Sequence, residues 1–284
     1  MQIDYSQLQT FIDCPHKYHN KFILNLAKIQ EGAESLDKLF GKAVHLALEL
    51  LYKGKPLVEA KNAFRESYLV ELGTEKAKTP ANGERLIEAY WNYWQKPVSE
   101  LSDTNLETVS VEVVDKFNIT EEIEYIVKID RVVKNNAGIW CMDHKSTRKT
   151  LYSFFNKFSP NMQVSGYCAY AKQKFGQCSG FIPNALKVGY RERAYKGEPA
   201  GFHCAFERDI VNRDDQQLRA FRDNVLWWCA NLKYATTSGV MPRNENNCGY
   251  CQYRDLCNSC DDPNVRDTLY EVVDTKEYLK DGSL

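Results

Sequence analysis

The sequence predicts an α/β fold, one mixed β-sheet with helices packed against it, and three observations predict it. Before residue 95 the apolar residues recur at spacings of three and four, the mark of amphipathic helices. From Glu107 to Lys145 the pattern changes to Val, Ile, Tyr and Phe at short spacing, broken at Asn118-Ile119-Thr120 and at Asn135-Asn136-Ala137-Gly138. That is a meander of three strands joined by tight turns. A helix, a hairpin and another helix follow, and this order closes most simply as layers around one sheet.

Taken in order, the chain opens with a helix over Tyr5 to about Leu26, capped by Asp4 or Ser6. A second helix spans about 36–52, with the stripe Leu36, Leu39, Phe40, Val44, Ala47, Leu48 and Leu51. Amphipathic helices at 57–72 and 83–95 come next, and the three strands follow them. A helix at about 160–175 precedes a hairpin of 184–191 with 201–208. A long helix over about 213–234, a cysteine-rich stretch at 248–260 and an acidic tail close the chain. No internal repeat or low-complexity linker interrupts this order.

Composition narrows the function classes. The 284 residues are 43% hydrophobic and 26% charged, ordinary values for a globular protein with a real core. No apolar run reaches the roughly 18 residues of a membrane span. The start Met1-Gln2-Ile3-Asp4-Tyr5 lacks the layout of a secretion signal. A cytoplasmic protein without membrane partners is expected. The net charge of −1 weighs mildly against a protein that coats nucleic acid, but it suits an enzyme that binds it briefly around acidic metal ligands.

The sharpest chemical signal is Lys128-Ile129-Asp130-Arg131-Val132 followed by Trp140-Cys141-Met142-Asp143-His144-Lys145. A turn centred between Asn136 and Ala137 places Asp130 opposite Asp143, with Cβ atoms about 5 Å apart. Two carboxylates at that separation repel unless a cation lies between them. Mg²⁺ or Mn²⁺, which prefer carboxylate oxygen, would remove the penalty. Lys145, two residues beyond Asp143, emerges on the same face, where its ammonium can orient a water or stabilise phosphate charge. Solvated aspartates at strand ends are the plain alternative for any isolated Asp-x-Lys. Opposed register between two otherwise apolar strands favours a site.

Ten cysteines are many for a chain without a secretion signal, and clustered ones point to metal. Cys141, Cys168, Cys178, Cys204 and Cys229 are scattered among apolar neighbours and read as buried and inert. Cys248-Gly249-Tyr250-Cys251 with Cys257 gives Cys-x₂-Cys-x₅-Cys, in which three thiolates can share one centre. Cys260 and the distant Cys14 compete as fourth ligand, and spacing alone fits zinc as well as iron.

Asp130 with Asp143-His144-Lys145 resembles the core of PD-(D/E)XK nucleases of the RecB-related type, although Lys128 stands where their motif often has glycine. Gly41-Lys42-Ala43-Val44-His45 resembles the family's Gly-x-x-x-His helix, which implies His45 as a metal ligand with Asp130 and Asp143. Gln163-Val164-Ser165-Gly166-Tyr167 resembles its Gln-x-x-x-Tyr motif, which the family places beside the catalytic lysine and the DNA strand. Ser6 through Cys14-Pro15-His16-Lys17-Tyr18 resembles the N-terminal signature of the AddB and CRISPR-associated RecB-like members. That likeness implies a [4Fe–4S] cluster on Cys14, Cys248, Cys251 and Cys257 with Cys260 spare, and it is the resemblance, not the spacing, that favours iron. A bond from position 14 to position 248 closes a loop of 234 residues, which removes roughly 5 kcal/mol of unfolded-state entropy.

The resemblance runs from Ser6 to Cys257 and implies a restriction-endonuclease-like core within a single domain over 1–284. A helical insertion at about 46–105 and a cysteine cluster at 248–260 complete that domain. The expected activity is a Mg²⁺- or Mn²⁺-dependent deoxyribonuclease acting on single-stranded DNA or duplex ends, exonucleolytic by analogy. Asp130, Asp143 and Lys145 would be catalytic. Arg148 and Lys149 form the favoured basic run for DNA phosphates, ahead of Lys187, Arg191, Arg193 and Lys196 or the aromatic Trp91, Tyr93 and Trp94. A helicase or a recombination or CRISPR partner protein is the expected company. Glu112 reads as a solvent-facing strand residue and only a weak accessory carboxylate. The competing reading is an inactive nucleic-acid- or protein-binding module on the same scaffold, stapled by iron–sulfur or zinc.

Overall fold

The computed structural model describes residues 1–29, 35–70 and 74–273. In chain order its elements are β1 (Gln2–Asp4), α1 (Tyr5–Asp13), α2 (Pro15–Tyr18), a π-helical turn (His19–Ile23), β2 (Leu26–Lys28), α3 (Leu36–Tyr52), α4 (Leu57–Ser67) and α5 (Pro80–Trp94). Then come β3 (Glu107–Asn118), β4 (Glu124–Asn135), β5 (Gly138–Thr147), α6 (Leu151–Phe155), α7 (Met162–Phe175), β6 (Gly180–Arg191), β7 (Gly201–Arg208), α8 (Asp215–Ser238), α9 (Arg254–Asn258), α10 (Pro263–Leu269) and β8 (Tyr270–Val272). The expected mixed sheet flanked by helices is present. The acidic tail beyond 273 lies outside the described residues, and the helix expected at 57–72 ends at Ser67, with Tyr68 closing it. No helix among them is long and apolar enough to cross a membrane.

The first correction is local. The single helix expected over 5–26 is broken at Cys14-Pro15. Proline has no N–H to continue the ladder, and the residue before it is pushed out of the helical region. Cys14 accordingly lies extended, at φ −167° and ψ 111°. Asp4 caps α1 in a reciprocal capping box with Gln7, its side chain accepting from the Gln7 amide at 2.8 Å.

The chain divides into two compact units, one of residues 1–33, 116–126 and 219–284 and the other of 34–115 and 127–218. In the first, β1 pairs in parallel with the start of β4 (Ile3 against Tyr125) and β2 pairs antiparallel with β8. From Arg219 onward α8 supplies Phe221, edge-on to Tyr125, and Trp228, edge-on to Phe11. Leu26, Tyr253, Leu256 and Tyr270 form a small separate core.

The second unit holds the meander and the later hairpin in one ladder, β3 beside β4, then β5, β6 and β7; β4–β5 and β6–β7 are antiparallel and β5–β6 is parallel. Its two faces are covered by different helices. Leu186 and Val188 of β6 pack with α3, α4 and α5, while Phe181 packs against Phe158 and Tyr167 of the α6–α7 layer. Coverage on both faces explains why β5 reads as one buried run instead of an alternation. Trp94 is core, buried on α5 as its helical spacing suggested.

Beneath this layer lies a buried charge cluster with no sequence signature. Asp103 Oδ1 accepts from Arg131 Nη1 at 2.6 Å and from Arg208 Nη1 at 2.9 Å. The Arg131 guanidinium stacks 3.8 Å from the Tyr52 ring centre, and that of Arg208 lies 3.9 Å from Trp94. Arg208 also donates to the hydroxyls of Tyr52 and Tyr90. One carboxylate thus satisfies two buried guanidinium groups, so its removal strands both. Asp103→Ala should cost about 3–5 kcal/mol of stability in a urea titration. A loss below about 1 kcal/mol would mean that water reaches the two arginines.

Candidate active site and cysteine centre

The β4–β5 hairpin brings the two aspartates to one place. Asn135 opposes Gly138, and the ladder runs in that register to Arg131 opposite Met142. The turn is held by the Asn135 side chain, which accepts from the Ala137 amide and the Trp140 indole, and by Gly138 at φ +121°, a conformation that favours glycine. The ladder stops one step short of Asp130 and Asp143. The amide of His144 donates there to Asp130 Oδ2 at 2.6 Å. On the other edge Asp143 opposes Pro183, which has no N–H to give.

Four further groups close in. Lys145 Nζ lies 2.9 and 2.8 Å from the two carboxylate oxygens of Asp143. His45, carried on α3, places Nδ1 3.4 Å from Asp130 Oδ2. The donor atoms of His45, Glu112 and Asp130 lie within 4.8 Å of one another. Glu112 is the residue that sequence reading placed too low. It sits mid-strand at φ +48°, an uncommon conformation for a non-glycine residue. A bulge of this kind re-aims a side chain, so a period-two pattern assigns it to the wrong side. Lys128, in the position where glycine was expected, reaches Glu112 with Nζ at 3.9 Å from Oε2.

The electrostatics record crowding of like charge. Burial and the neighbouring Asp130 carboxylate push the Glu112 carboxyl up to about 7. Burial likewise raises Asp143, with Asp130 adding to it and Lys145 opposing. Burial works against ionised Asp130 too, but His45 and Lys145 outweigh it and hold that carboxyl well below the usual range. His45 and Lys145 are raised in turn, the carboxylates overcoming burial in each case. The carboxylates thus favour the ammonium form of Lys145.

Alternation along β5 sends His144 to the opposite face from Asp143 and Lys145. Burial keeps its imidazole neutral, down to about 3, and its Nδ1 lies 2.5 Å from Asn184 Nδ2, which also donates to the Tyr90 hydroxyl. The Asp143 face is the one that Cys141 shares, and the Cys141 thiol donates to the carbonyl of Tyr167 on α7. On that helix Gln163 Nε2 donates to the Tyr167 hydroxyl at 2.8 Å. Of the basic residues, Arg148 pairs with Glu75 at 2.5 Å and Asp37 at 3.4 Å, and Lys149 is exposed. Lys157 was missed entirely. It stands 4.3 and 4.8 Å from the Phe154 and Phe158 ring centres, and burial together with the Lys145 charge lowers its ammonium.

In the first unit, the cysteine segments meet from both ends of the chain. The amide of Asn244 donates to Cys14 Sγ at 3.4 Å, and the side chains of Asn244 and Asn247 both donate to the Asp13 carbonyl at 2.8 Å. Cys248 Sγ lies 3.9 Å from the Asn244 carbonyl. Burial pushes the Cys257 thiol up to about 11, with Asp261, Cys251 and Cys14 adding to it and Arg243 opposing. Cys260 is exposed at φ +55°. His16 also reaches this place, its ring nitrogen within 4.8 Å of Cys257 Sγ and an Asp261 oxygen. Asn244 thus touches Cys14 and Cys248, while among the described residues the donor group within 4.8 Å at this place is His16, Cys257 and Asp261. The five other cysteines are not uniformly buried, since Cys178 and Cys204 are partly exposed.

Comparison with known proteins agrees with this geometry. The family model of the PD-(D/E)XK nuclease superfamily matches residues 2–258. No curated protein matches the chain. A crystal structure described as "Putative exonuclease" from Eubacterium rectale aligns with a TM-score of 0.51 at 14% identity, over 89% of this chain and 87% of that one, which shows a shared fold. The structure of SSO0001 aligns over 91% of this chain and 95% of its own at 13% identity, with a TM-score of 0.27, too low to argue from.

Glu112 gives a test that needs no substrate. In metal-free protein its carboxyl titrates near 7, against 4.5 for an ordinary glutamate, so the folded state holds an extra proton between those values. Its stability contribution is fully present below about 4.5 and lost as pH rises through about 7. Urea melts of metal-free protein at about pH 5 and 8 should show this loss, and Glu112→Gln should remove it. Identical slopes in both proteins would place Glu112 outside the cluster.

Proposed function

The chain belongs to the PD-(D/E)XK nuclease superfamily, and from that premise we propose a metal-dependent deoxyribonuclease that degrades single-stranded DNA or duplex ends exonucleolytically. The observation that carries this reading is the convergence of His45, Glu112, Asp130, Asp143 and Lys145 at the end of the β4–β5 ladder. Both units are taken as parts of one nuclease spanning 1–284.

The donor set suits Mg²⁺ or Mn²⁺. Carboxylate oxygens prefer hard cations, one imidazole is compatible with Mn²⁺, and burial together with the Asp130 charge raises the Glu112 and Asp143 carboxyls, whose charged forms a cation would favour. His45, Glu112, Asp130 and Asp143 would hold the ion. When bound, it supplies charge neutralisation at the scissile phosphate and a more acidic attacking water. The protein's own residues do the rest. The His144 amide fixes the Asp130 carboxylate, and Lys145 presents an ammonium to the phosphate charge that grows in the transition state. Lys149 and Lys157 supply further positive charge for the strand, and Gln163 with Tyr167 forms a hydrogen-bonded pair on the same face. Arg148, committed to Glu75 and Asp37, contributes only if DNA displaces those carboxylates.

Labelled DNA with Mg²⁺ or Mn²⁺ tests the proposal. Asp143→Ala should abolish hydrolysis, and Lys145→Ala should lower kcat by roughly 10²–10³. Undiminished cleavage by Asp143→Ala would end it, and a ladder of internal products would replace exonuclease by endonuclease.

For the cysteine centre we propose Cys14, Cys248, Cys251 and Cys257 as ligands of a [4Fe–4S] cluster that staples the two chain ends. Support comes from the family likeness and from the hydrogen bonds that bring Cys14 and Cys248 to residue 244. Protein purified without oxygen should carry iron and absorb visible light. Cys257→Ser should lose the iron and melt at lower temperature, with Cys260→Ser unaffected. Zinc in place of iron, or His16→Ala losing metal as fully as Cys14→Ser, would reject the assignment.

A further inference from the structure

The buried charge cluster of the second unit reaches the candidate active site through a chain of hydrogen bonds whose direction is fixed. Asp103, its side chain 4% exposed, accepts from Arg131 at 2.6 Å and from Arg208 at 2.9 Å, so it is an ionised acceptor. Tyr52 donates its single hydroxyl proton to Asp103 Oδ2 at 3.0 Å. The Tyr90 hydroxyl lies 2.7 Å from that of Tyr52 and must therefore be the donor between the two. With that proton spent, the Tyr90 oxygen can only accept. It accepts from Arg208 Nη2 at 2.9 Å and from Asn184 Nδ2 at 2.6 Å.

This direction orients the Asn184 amide, which is fully buried, with its nitrogen and not its oxygen towards Tyr90. The same nitrogen lies 2.5 Å from His144 Nδ1, which accepts its second proton and so carries none of its own. The imidazole proton therefore sits on Nε2. A reversed amide would ask Tyr90 for a second proton. It would also leave two N–H donors unpartnered in place of the one acceptor, Asn184 Oδ1, that lacks a partner among the described residues. Packing restricts the imidazole further, with Tyr52 stacked on it at 5.5 Å and 6° and Tyr90 edge-on at 6.3 Å. His144 is thus pinned by its ring on one face of the sheet, while its amide donates to Asp130 Oδ2 at 2.6 Å.

We propose that Asn184 is a positioning residue: through Tyr52, Tyr90 and Asn184, Asp103 fixes His144 in the Nε2–H tautomer and so holds the His144 amide against the Asp130 carboxylate. The inference rests on the reading of Asp130 as a metal ligand. His45 approaches the same Asp130 oxygen, with Nδ1 at 3.4 Å, so the pose of that carboxylate decides where the metal donors converge. Hydrogen bonds behind a metal ligand set its orientation and the affinity of the site. Here they run back over four steps to a carboxylate on the opposite face of the sheet from Asp143. In the other tautomer two N–H groups would face each other and push the ring, with the backbone that carries it, out of place. Asn184→Asp tests polarity and not volume, because aspartate has nearly the same shape but offers Tyr90 and His144 only acceptors.

Nitrogen NMR of the intact, histidine-labelled protein, with no divalent ion added, reads the tautomer directly. His144, assigned through its own amide, should show a protonated Nε2 and a bare Nδ1. Asn184→Asp should move the proton to Nδ1, speed hydrogen exchange of the His144 amide, and weaken Mn²⁺ binding, read by electron paramagnetic resonance, about tenfold or more. Tyr52→Phe serves if that variant fails to fold, since it keeps the ring stacked on His144 and removes only the hydroxyl. It frees the Tyr90 proton for Asn184, so a share of His144 should appear with Nδ1 protonated. A protonated Nδ1 in the wild type overturns the proposal, as do unchanged amide exchange and Mn²⁺ affinity in Asn184→Asp. A His144 tautomer unmoved by Tyr52→Phe overturns the control by Asp103. None of these readouts uses DNA, so a wild type that binds Mn²⁺ without cleaving DNA would end the nuclease reading alone.

Discussion

Two carboxylates on adjacent strands cannot share a face unless something neutralises them, and the second unit is arranged around that constraint. The β4–β5 ladder ends at Arg131 and Met142, one step before the like charges would be forced into direct opposition. Beyond that point backbone pairing gives way to side-chain chemistry. The His144 amide turns to Asp130, and Lys145 and His45 approach from strand and helix. The carboxyls of Glu112 and Asp143 remain lifted, by burial first and by the neighbouring Asp130 charge in addition. A divalent ion is the economical solution, because it interacts favourably with all the acids at once.

Such a site holds its shape only if its strands cannot shift. Asp103 joins Arg131 of β4 to Arg208 of β7, and Arg208 reaches Tyr52 of α3 and Tyr90 of α5. Tyr90 continues through Asn184 to His144, the residue between Asp143 and Lys145. Most members of this network are buried, so they depend on their partners for satisfaction, and a displaced strand would leave several groups unpaired. Geometry at the carboxylates is thereby tied to packing on the far side of the sheet.

The cysteine segments follow a similar logic. Cys14 and Cys248, far apart in sequence, are brought to one turn by asparagine side chains that read the backbone of Asp13. The spacing of Cys248, Cys251 and Cys257 is visible along the chain, but the approach of Cys14 depends on contacts between segments that only folding brings together.

Local physics was legible in the sequence. The hairpin register followed from Asn135 and Gly138, since turn chemistry fixes which residues oppose each other, and with it came the proximity of Asp130 and Asp143. Helical spacing found α3 and α7, and so put His45, Gln163 and Tyr167 on helices. The break at Cys14-Pro15 escaped, although the proline rule contained it, and so did the short strands β1, β2 and β8. The tertiary structure decided the rest. It turned Glu112 inward through a left-handed residue, placed Lys157 on its aromatic shelf, committed Arg148 to acidic partners and buried Asp103 between two arginines. The division has one physical cause. Periodicity and turns are properties of neighbours along the chain, whereas burial, charge pairing and a thiol's companions depend on segments that meet only after the sheet has closed.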